Sequence, residues 1–181
     1  MSKMSKKNFK LDGVSVRLVK DRPLISDTPI ISSEDIISLM GNDMMDLDRE
    51  EVRVIFFDTR NHPIAWHQLS IGSLDRSIVS PRELFKAAFL LNAASIALFH
   101  NHPGDDEQPS ETDNILTERL DKICNLMGIE LLEHIIVTPS GHYYSYAEKS
   151  SGILKRIITY SDMGLERKAP DLKGISLVAE D

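Results

Sequence analysis

The sequence has a single cysteine and no long apolar run, and both absences limit the class of protein it can be. Cys124 cannot form a disulfide within the chain, so we expect a protein of the reducing cytoplasm. No apolar stretch approaches the ~20 residues of a membrane-spanning helix, so we expect no membrane association. Residues 1–10 carry four lysines without an apolar segment, which is not the pattern of a secretory signal.

An excess of positive charge is also missing. Seven basic and two acidic side chains give residues 1–24 a charge of +5, so the net charge of −7 leaves −12 for residues 25–181. An acidic body argues against broad contact with a phosphate backbone. The basic segment could touch nucleic acid, but a solvated tail is the simpler interpretation. We therefore expect no strong nucleic-acid surface.

The length of 181 residues and the hydrophobic content of 41% suit one globular domain with tails. We divide the chain into an N-terminal extension with one helix at 1–48, a domain at 49–150 and a C-terminal tail at 151–181.

Hydrophobic periodicity predicts an edge strand at 14–19 and a helix from Ser32 that Gly41-Asn42 weakens or ends. A further helix starts at Ser80, with Glu83 reaching back to the cap. The remaining predicted elements are strands at 51–57, 64–71, 94–99, 130–137 and 142–146 and a helix at 110–127. This order predicts an α/β fold, a mixed β-sheet sandwiched by helices.

The loop after the apolar strand at 94–99 contains the candidate functional residues. His100 and His102 are two residues apart, which places both imidazoles on one face of an extended segment. Asp113 follows eleven residues later, at the start of a helix. Two histidines and one carboxylate with an open fourth position are the pattern of a catalytic zinc, so we expect one Zn²⁺ per chain.

Each of these residues also has a purely structural interpretation. Ser110 and Asp113 form a capping-box pattern, in which both side chains satisfy the start of the helix. Ser110 could act as a cap, in catalysis, or in both roles. His134 alternates with core residues on its strand, so we expect it to form a local hydrogen bond rather than bind a metal.

His100-x-His102, seven residues, Ser110, two residues and Asp113 match the JAMM signature of the JAB/MPN metallopeptidase family. Other segments resemble its RadC branch over roughly residues 50–150: 57–61, 71–74, 81–83, 91–94, 100–103, 109–110 and 133–136. Residues 1–48 lack the Gly-bearing hairpins of a helix-hairpin-helix module. The chain thus resembles the short RadC-like JAB proteins often carried on mobile elements.

The resemblance implies a cytidine-deaminase-like fold and a zinc-dependent hydrolase acting on peptide or isopeptide bonds of a peptide or protein substrate. It implies that His100, His102 and Asp113 are the zinc ligands and that Ser110 helps to hold the oxyanion. The family's general base is a Glu, which we expect on the strand before Gly72. No carboxylate is present at 64–70, and His67 occupies the expected place, so His67 is the predicted substitute.

That missing Glu keeps a second function open, a metal-binding JAB domain with weak or no hydrolysis that acts as an interaction module. Such a module could be linked to DNA repair or mobile elements. A zinc deaminase would need His-x-Glu and Pro-Cys-x-x-Cys motifs, which the chain lacks. The tripeptide His100-Asn101-His102 resembles the name of a nuclease class, but the residues of that class are dispersed along the chain.

Overall fold

The computed structural model describes residues 32–72 and 79–149, together with 15, 17–19, 30 and 154. The elements in this part of the chain are α1 (Ser33–Met45), β1 (Glu51–Phe57), β2 (Pro63–Ile71), α2 (Pro81–Leu90), β3 (Ser95–Asn101), α3 (Glu111–Met127), β4 (Glu130–Val137), β5 (Tyr143–Ser145) and α4 (Tyr146–Lys149). Most of the predicted C-terminal tail, and most of the segment in which a helix-hairpin-helix module was sought, lie outside the described residues.

The five described strands form one sheet in the order β2-β1-β3-β4-β5, which places β3 at its centre. β3 and β4 run parallel, because α3 carries the chain back across the sheet between them. The other neighbouring pairs are antiparallel, and β1 and β2 form the predicted hairpin. The predicted mixed sheet is therefore confirmed.

Helices cover both faces of this sheet. On one face, apolar side chains of α2 and α3 pack against β1, β3 and β4 around Val54 and Leu98. On the other face, α1 packs against the same strands around Ile55 and Phe99. β1 and β3 are buried along their whole length, which explains why residues 54–57 and 96–99 are apolar without alternation. Within the described residues, no helix combines the length and apolarity needed to cross a membrane.

Helix α1 is longer than predicted. It begins at the expected capping box of Ser32 and Asp35 but continues through Gly41 to Met45. A Cβ at Gly41 would lie 3.2 Å from a methyl of Ile37, so the glycine permits close packing. Glycine costs a helix ~1 kcal/mol relative to alanine, whereas burial of a methionine side chain contributes ~1.5–3 kcal/mol. Met44 and Met45 are both buried, and their burial outweighs the cost of the glycine.

Two further expectations are wrong. Ser15 and residues 17–19, the described part of the predicted edge strand, are exposed and form no strand. At α2, Pro81 occupies the first turn as predicted, but Ser80 makes no side-chain cap hydrogen bond. Glu83 instead forms an exposed ion pair with Lys86, one turn along the helix.

The fully buried carboxylate of Glu133 connects the elements around β4. One oxygen accepts hydrogen bonds from the hydroxyls of Ser33 and Ser145, both at 2.6 Å. The other accepts from the backbone N–H groups of His134, at 2.8 Å, and Ala147, at 3.0 Å. Burial raises the pKa of Glu133, although all four donors favour the ionised form. This one side chain thereby ties α1, β5 and α4 to the sheet.

Candidate metal centre

Strand β3 and helix α3 bring three potential metal ligands together. His100 is the second-last residue of the central strand β3, and His102 is the first residue after that strand. The backbone N–H of His102 donates to the carbonyl of Val137 at 2.8 Å, which keeps the chain beside the end of β4 after β3 has ended. Asp113 lies in the first turn of α3. Both His100 and Asp113 are completely buried.

The predicted capping box orients the carboxylate of Asp113. Its Oδ2 accepts from the backbone N–H and the hydroxyl of Ser110, both at 2.7 Å, while the backbone N–H of Asp113 donates to Ser110 Oγ at 3.2 Å. The second carboxylate oxygen, Oδ1, is buried and has no hydrogen-bond partner among the described residues. A helix cap therefore presents one unpaired carboxylate oxygen to the site.

The ligand atoms converge on one point. His100 Nε2 and His102 Nε2 are 3.0 Å apart. Asp113 Oδ1 lies 3.5 Å from His100 Nε2, and Asp113 Oδ2 lies 3.6 Å from His102 Nε2. One ligand atom from each residue lies within 4.8 Å of the other two. Spacing of this order is compatible with a single metal ion bound by all three residues.

In both His100 and His102, the ring nitrogen that faces away from the site, Nδ1, also has a hydrogen-bond partner. His102 Nδ1 lies 2.7 Å from the carbonyl oxygen of Asp106, which can only accept, so Nδ1 carries the hydrogen and Nε2 is left for the site. His100 Nδ1 lies 2.8 Å from His134 Nε2. Partners of this kind fix the ring orientation of metal-binding histidines.

Burial and the shared carboxylate set the charges at the site. Complete burial lowers the pKa of His100 well below its usual range, and burial lowers that of His134 to about 4. Burial also opposes protonation of His102, but its contacts with Asp113 and Asp106 raise its pKa overall. Although burial disfavours the ionised form of Asp113, its contacts with His102, His100 and Ser110 hold its pKa well below the ordinary value. The site thus holds an anionic carboxylate beside imidazole nitrogens.

These groups suit a divalent cation. When a neutral His100 carries its hydrogen on Nδ1, its Nε2 lone pair lies 3.5 Å from the unpartnered Asp113 Oδ1, and two acceptors in that position repel each other. A cation would satisfy both. His100, His102 and Asp113 are accordingly the residues that could hold it.

His67, the predicted base, is not brought into this group. It lies on β2, the edge strand of the sheet, and its side chain is exposed. β1 separates β2 from β3, the strand that carries His100.

Glu50, a carboxylate that the sequence analysis did not single out, directly precedes β1. β1 and β3 are antiparallel with Val52 opposite His100, and continuing that register places Glu50 opposite His102. The negative charge of Glu50 adds to the causes that raise the pKa of His102, after its contacts with Asp113 and Asp106. No local sequence pattern marks Glu50, because its place opposite His102 depends on the pairing of β1 with β3.

Asn101, the residue between the two histidines, fixes the backbone around Glu50. Its side-chain amide donates to the carbonyl of Arg49 at 3.0 Å, and its amide oxygen accepts from the N–H of Glu51 at 2.8 Å. On the other side, the N–H of Gly72 donates to the carbonyl of Glu50 at 2.8 Å. Glu50 is therefore held from both neighbouring strands.

Comparison with known proteins agrees with this geometry. The model of the RadC-like JAB domain matches residues 30–152. A UPF0758 protein of Desulforamulus reducens is 45% identical over 104 residues, covering 58% of this chain and 46% of that protein. A UPF0758 protein of Methanosarcina mazei is 40% identical over 122 residues, covering 67% and 52% respectively. The chain spans about half the length of these curated relatives. The match over most of its length, together with the ligand cluster, shows that the chain belongs to the RadC-like JAB domain family.

Proposed function

We propose that the chain is a zinc-dependent hydrolase of peptide or isopeptide bonds, with a peptide or protein as substrate. The observation that carries the proposal is the convergence of His100, His102 and the unpaired, buried oxygen of Asp113. Three nitrogen and oxygen ligands with an open fourth position are the donor set of catalytic zinc. A zinc ion held there would polarise the substrate's carbonyl group and allow a water molecule to ionise near neutral pH.

We further propose that Glu50, rather than His67, is the general base. It would accept the proton of the attacking water and pass it to the leaving amine. A carboxylate can fill this role when hydrogen bonds fix the backbone that carries it. General acid–base assistance is typically worth ~100- to 10,000-fold in rate, or ~3–5 kcal/mol of barrier. His67 is exposed and lies two strands away from β3, which favours Glu50 for this role.

Ser110 has two roles in this proposal. Its hydroxyl lies 2.7 Å from the ligand carboxylate of Asp113 and so stands at the edge of the site. To hold the oxyanion that forms when an amide carbonyl is attacked, the hydroxyl would turn its single hydrogen from Asp113 Oδ2 to the substrate. The same side chain caps α3, so catalysis and the positioning of Asp113 share one residue.

The test compares Glu50→Gln with His67→Ala in zinc-loaded protein. Cleavage of a peptide library and of a lysine-linked isopeptide would be followed by mass spectrometry, with zinc content measured in each sample. We expect Glu50→Gln to lower kcat by ~100- to 10,000-fold at unchanged zinc content. We expect His67→Ala to stay within a few-fold of wild type.

The opposite pattern, with His67→Ala inactive and Glu50→Gln active, would return the role of base to His67. Wild-type protein that binds zinc and cleaves no member of the library would favour the second candidate, a metal-binding interaction module. The observation that favours this candidate is that β2, the strand on which the base was expected, carries no carboxylate.

A further inference from the structure

A line of short contacts runs away from the metal centre into the core. His100 Nδ1 lies 2.8 Å from His134 Nε2. On the far side of that ring, His134 Nδ1 lies 2.6 Å from the hydroxyl oxygen of Thr117. The same oxygen lies 2.6 Å from the backbone carbonyl of Asp113, one turn earlier in α3. The line starts at one ligand and returns to the backbone of another.

The last contact determines where every hydrogen in the line lies. A carbonyl oxygen can only accept, so the single hydrogen of the Thr117 hydroxyl points at Asp113. Thr117 Oγ1 must then accept from His134 Nδ1–H. A neutral imidazole has one N–H, so His134 Nε2 is bare and accepts from His100 Nδ1–H. The Nε2 of a neutral His100 is therefore bare and faces the site.

The groups of this line are shielded from solvent. His134 and Thr117 are completely buried. The ring of Tyr146 stacks on His134 with centroids 4.9 Å apart and planes 5° apart, which covers one face of the imidazole. The Tyr146 hydroxyl donates to Asn114 at 2.8 Å, so its own hydrogen is directed away from the line.

We infer that Thr117 and His134 are positioning residues that fix the tautomer of His100 so that its Nε2 offers a lone pair to the metal ion. The inference deepens the proposed function and rests on it for the metal, while the tautomers themselves are a property of the metal-free chain. His102 reaches the same result with one contact, to the carbonyl of Asp106. His100 is buried and has no carbonyl within reach of Nδ1 among its described hydrogen bonds, so it needs the two intermediates.

The decisive measurement is the tautomeric state of the histidines in the metal-free, full-length protein. Long-range ¹H–¹⁵N NMR correlations at neutral pH distinguish a protonated from a bare ring nitrogen. We expect both His100 and His134 to be protonated at Nδ1 and bare at Nε2. A His134 that is protonated at Nε2, or at both nitrogens, would overturn the inference, and this wild-type spectrum decides the matter without any variant.

A matched pair of substitutions tests the link to the metal. Thr117→Val keeps the shape and removes the hydroxyl, whereas Thr117→Ser keeps the hydroxyl. We expect Thr117→Val to shift the His134 tautomer and to weaken zinc binding, measured by competition with a chelating dye, by ~10- to 100-fold, the usual effect of losing an outer partner of a ligand. We expect Thr117→Ser to retain both properties.

Equal zinc affinity in Thr117→Val and wild type, or equal losses in both variants, would contradict the inference. Denaturant unfolding of each metal-free variant separates a loss of stability from a loss of affinity. A wild-type protein that shows the expected tautomers yet binds no zinc would overturn the proposed metal function and leave the hydrogen-bond line in place. The two proposals can therefore fail separately.

Discussion

At the scale of single residues, the candidate metal centre is a group of hydrogen-bond acceptors that have no donor. Asp113 Oδ1 has no hydrogen-bond partner among the described residues, and it lies 3.5 Å from His100 Nε2, which is bare in the inferred tautomer. Placing acceptors together costs free energy in the metal-free protein. The protein bears this cost because a capped helix, a central strand and the line through His134 hold the groups in place, and a bound cation would relieve it.

The buried His134 makes the metal-free protein sensitive to acid. Its pKa is 6.5 unperturbed and about 4 when buried, so between these values the unfolded chain takes up a proton that the folded chain refuses. Stability is then complete above pH 6.5 and is lost as the pH falls toward 4. At ~1.36 kcal/mol per pH unit the loss is ~3 kcal/mol, and His100 adds to it in the same direction.

Urea unfolding of the metal-free protein between pH 4 and 7.5 measures this loss. We expect His134→Gln to show a clearly flatter dependence of the unfolding free energy on pH than wild type. The exposed His67→Gln should keep the wild-type slope. Parallel curves for wild type and His134→Gln would show that His134 does not carry the acid sensitivity.

At the scale of elements, Glu133 joins three pieces of the fold to β4 with its four hydrogen bonds. Glu133→Gln would keep the size of the side chain but place an amide NH₂ against donors that need an acceptor. Each buried donor left without a partner costs ~1–3 kcal/mol. We expect the variant to lose ~2–4 kcal/mol of unfolding free energy.

Chemical denaturation at neutral pH tests this, with Glu130→Gln as the matched control. Glu130 lies on the same strand but is exposed, so its substitution should change stability by less than ~0.5 kcal/mol. Similar unfolding midpoints for both variants would mean that the Glu133 bonds do not hold α1 and α4 to the sheet.

Sequence patterns predicted the elements whose signals are local. The apolar runs of β1 and β3, and the Ser110 cap of α3, are contained in a few adjacent residues, and so is the spacing of His100 and His102. The end of α1 was missed because the burial of Met44 and Met45, which outweighs the cost of Gly41, depends on packing against the sheet. The exposed residues 17–19 alternate in the sequence but have no strand beside them.

The rest of the site depends on contacts between distant segments. Glu50 stands near His102 only through the register of β1 on β3, fifty residues apart. His134 was expected to form a local hydrogen bond, yet its partners are His100 and Thr117, on another strand and a helix. Such neighbours follow from sheet order and helix placement, which periodicity alone does not determine.

At the scale of the whole molecule, charge limits the partners. The −12 charge of residues 25–181 disfavours binding to a polyanion, whereas the +5 charge of residues 1–24 favours it. We expect the full-length chain to show no submicromolar affinity for duplex DNA at physiological salt. Fluorescence anisotropy with a labelled duplex, repeated at several salt concentrations, checks this; tight binding that weakens steeply with salt would refute it.

Two of the three candidate ligands, His100 and Asp113, belong to rigid elements that are complete without any ion, and His102 directly follows β3. β3 is paired on both sides, and α3 is capped and packed, so emptying the centre removes no part of the core. A chelator should therefore remove the metal without unfolding the protein, whereas a zinc finger unfolds when it loses its metal. Cobalt could then be added to the same sample without a refolding step, and its coordination could be followed by visible absorption spectroscopy.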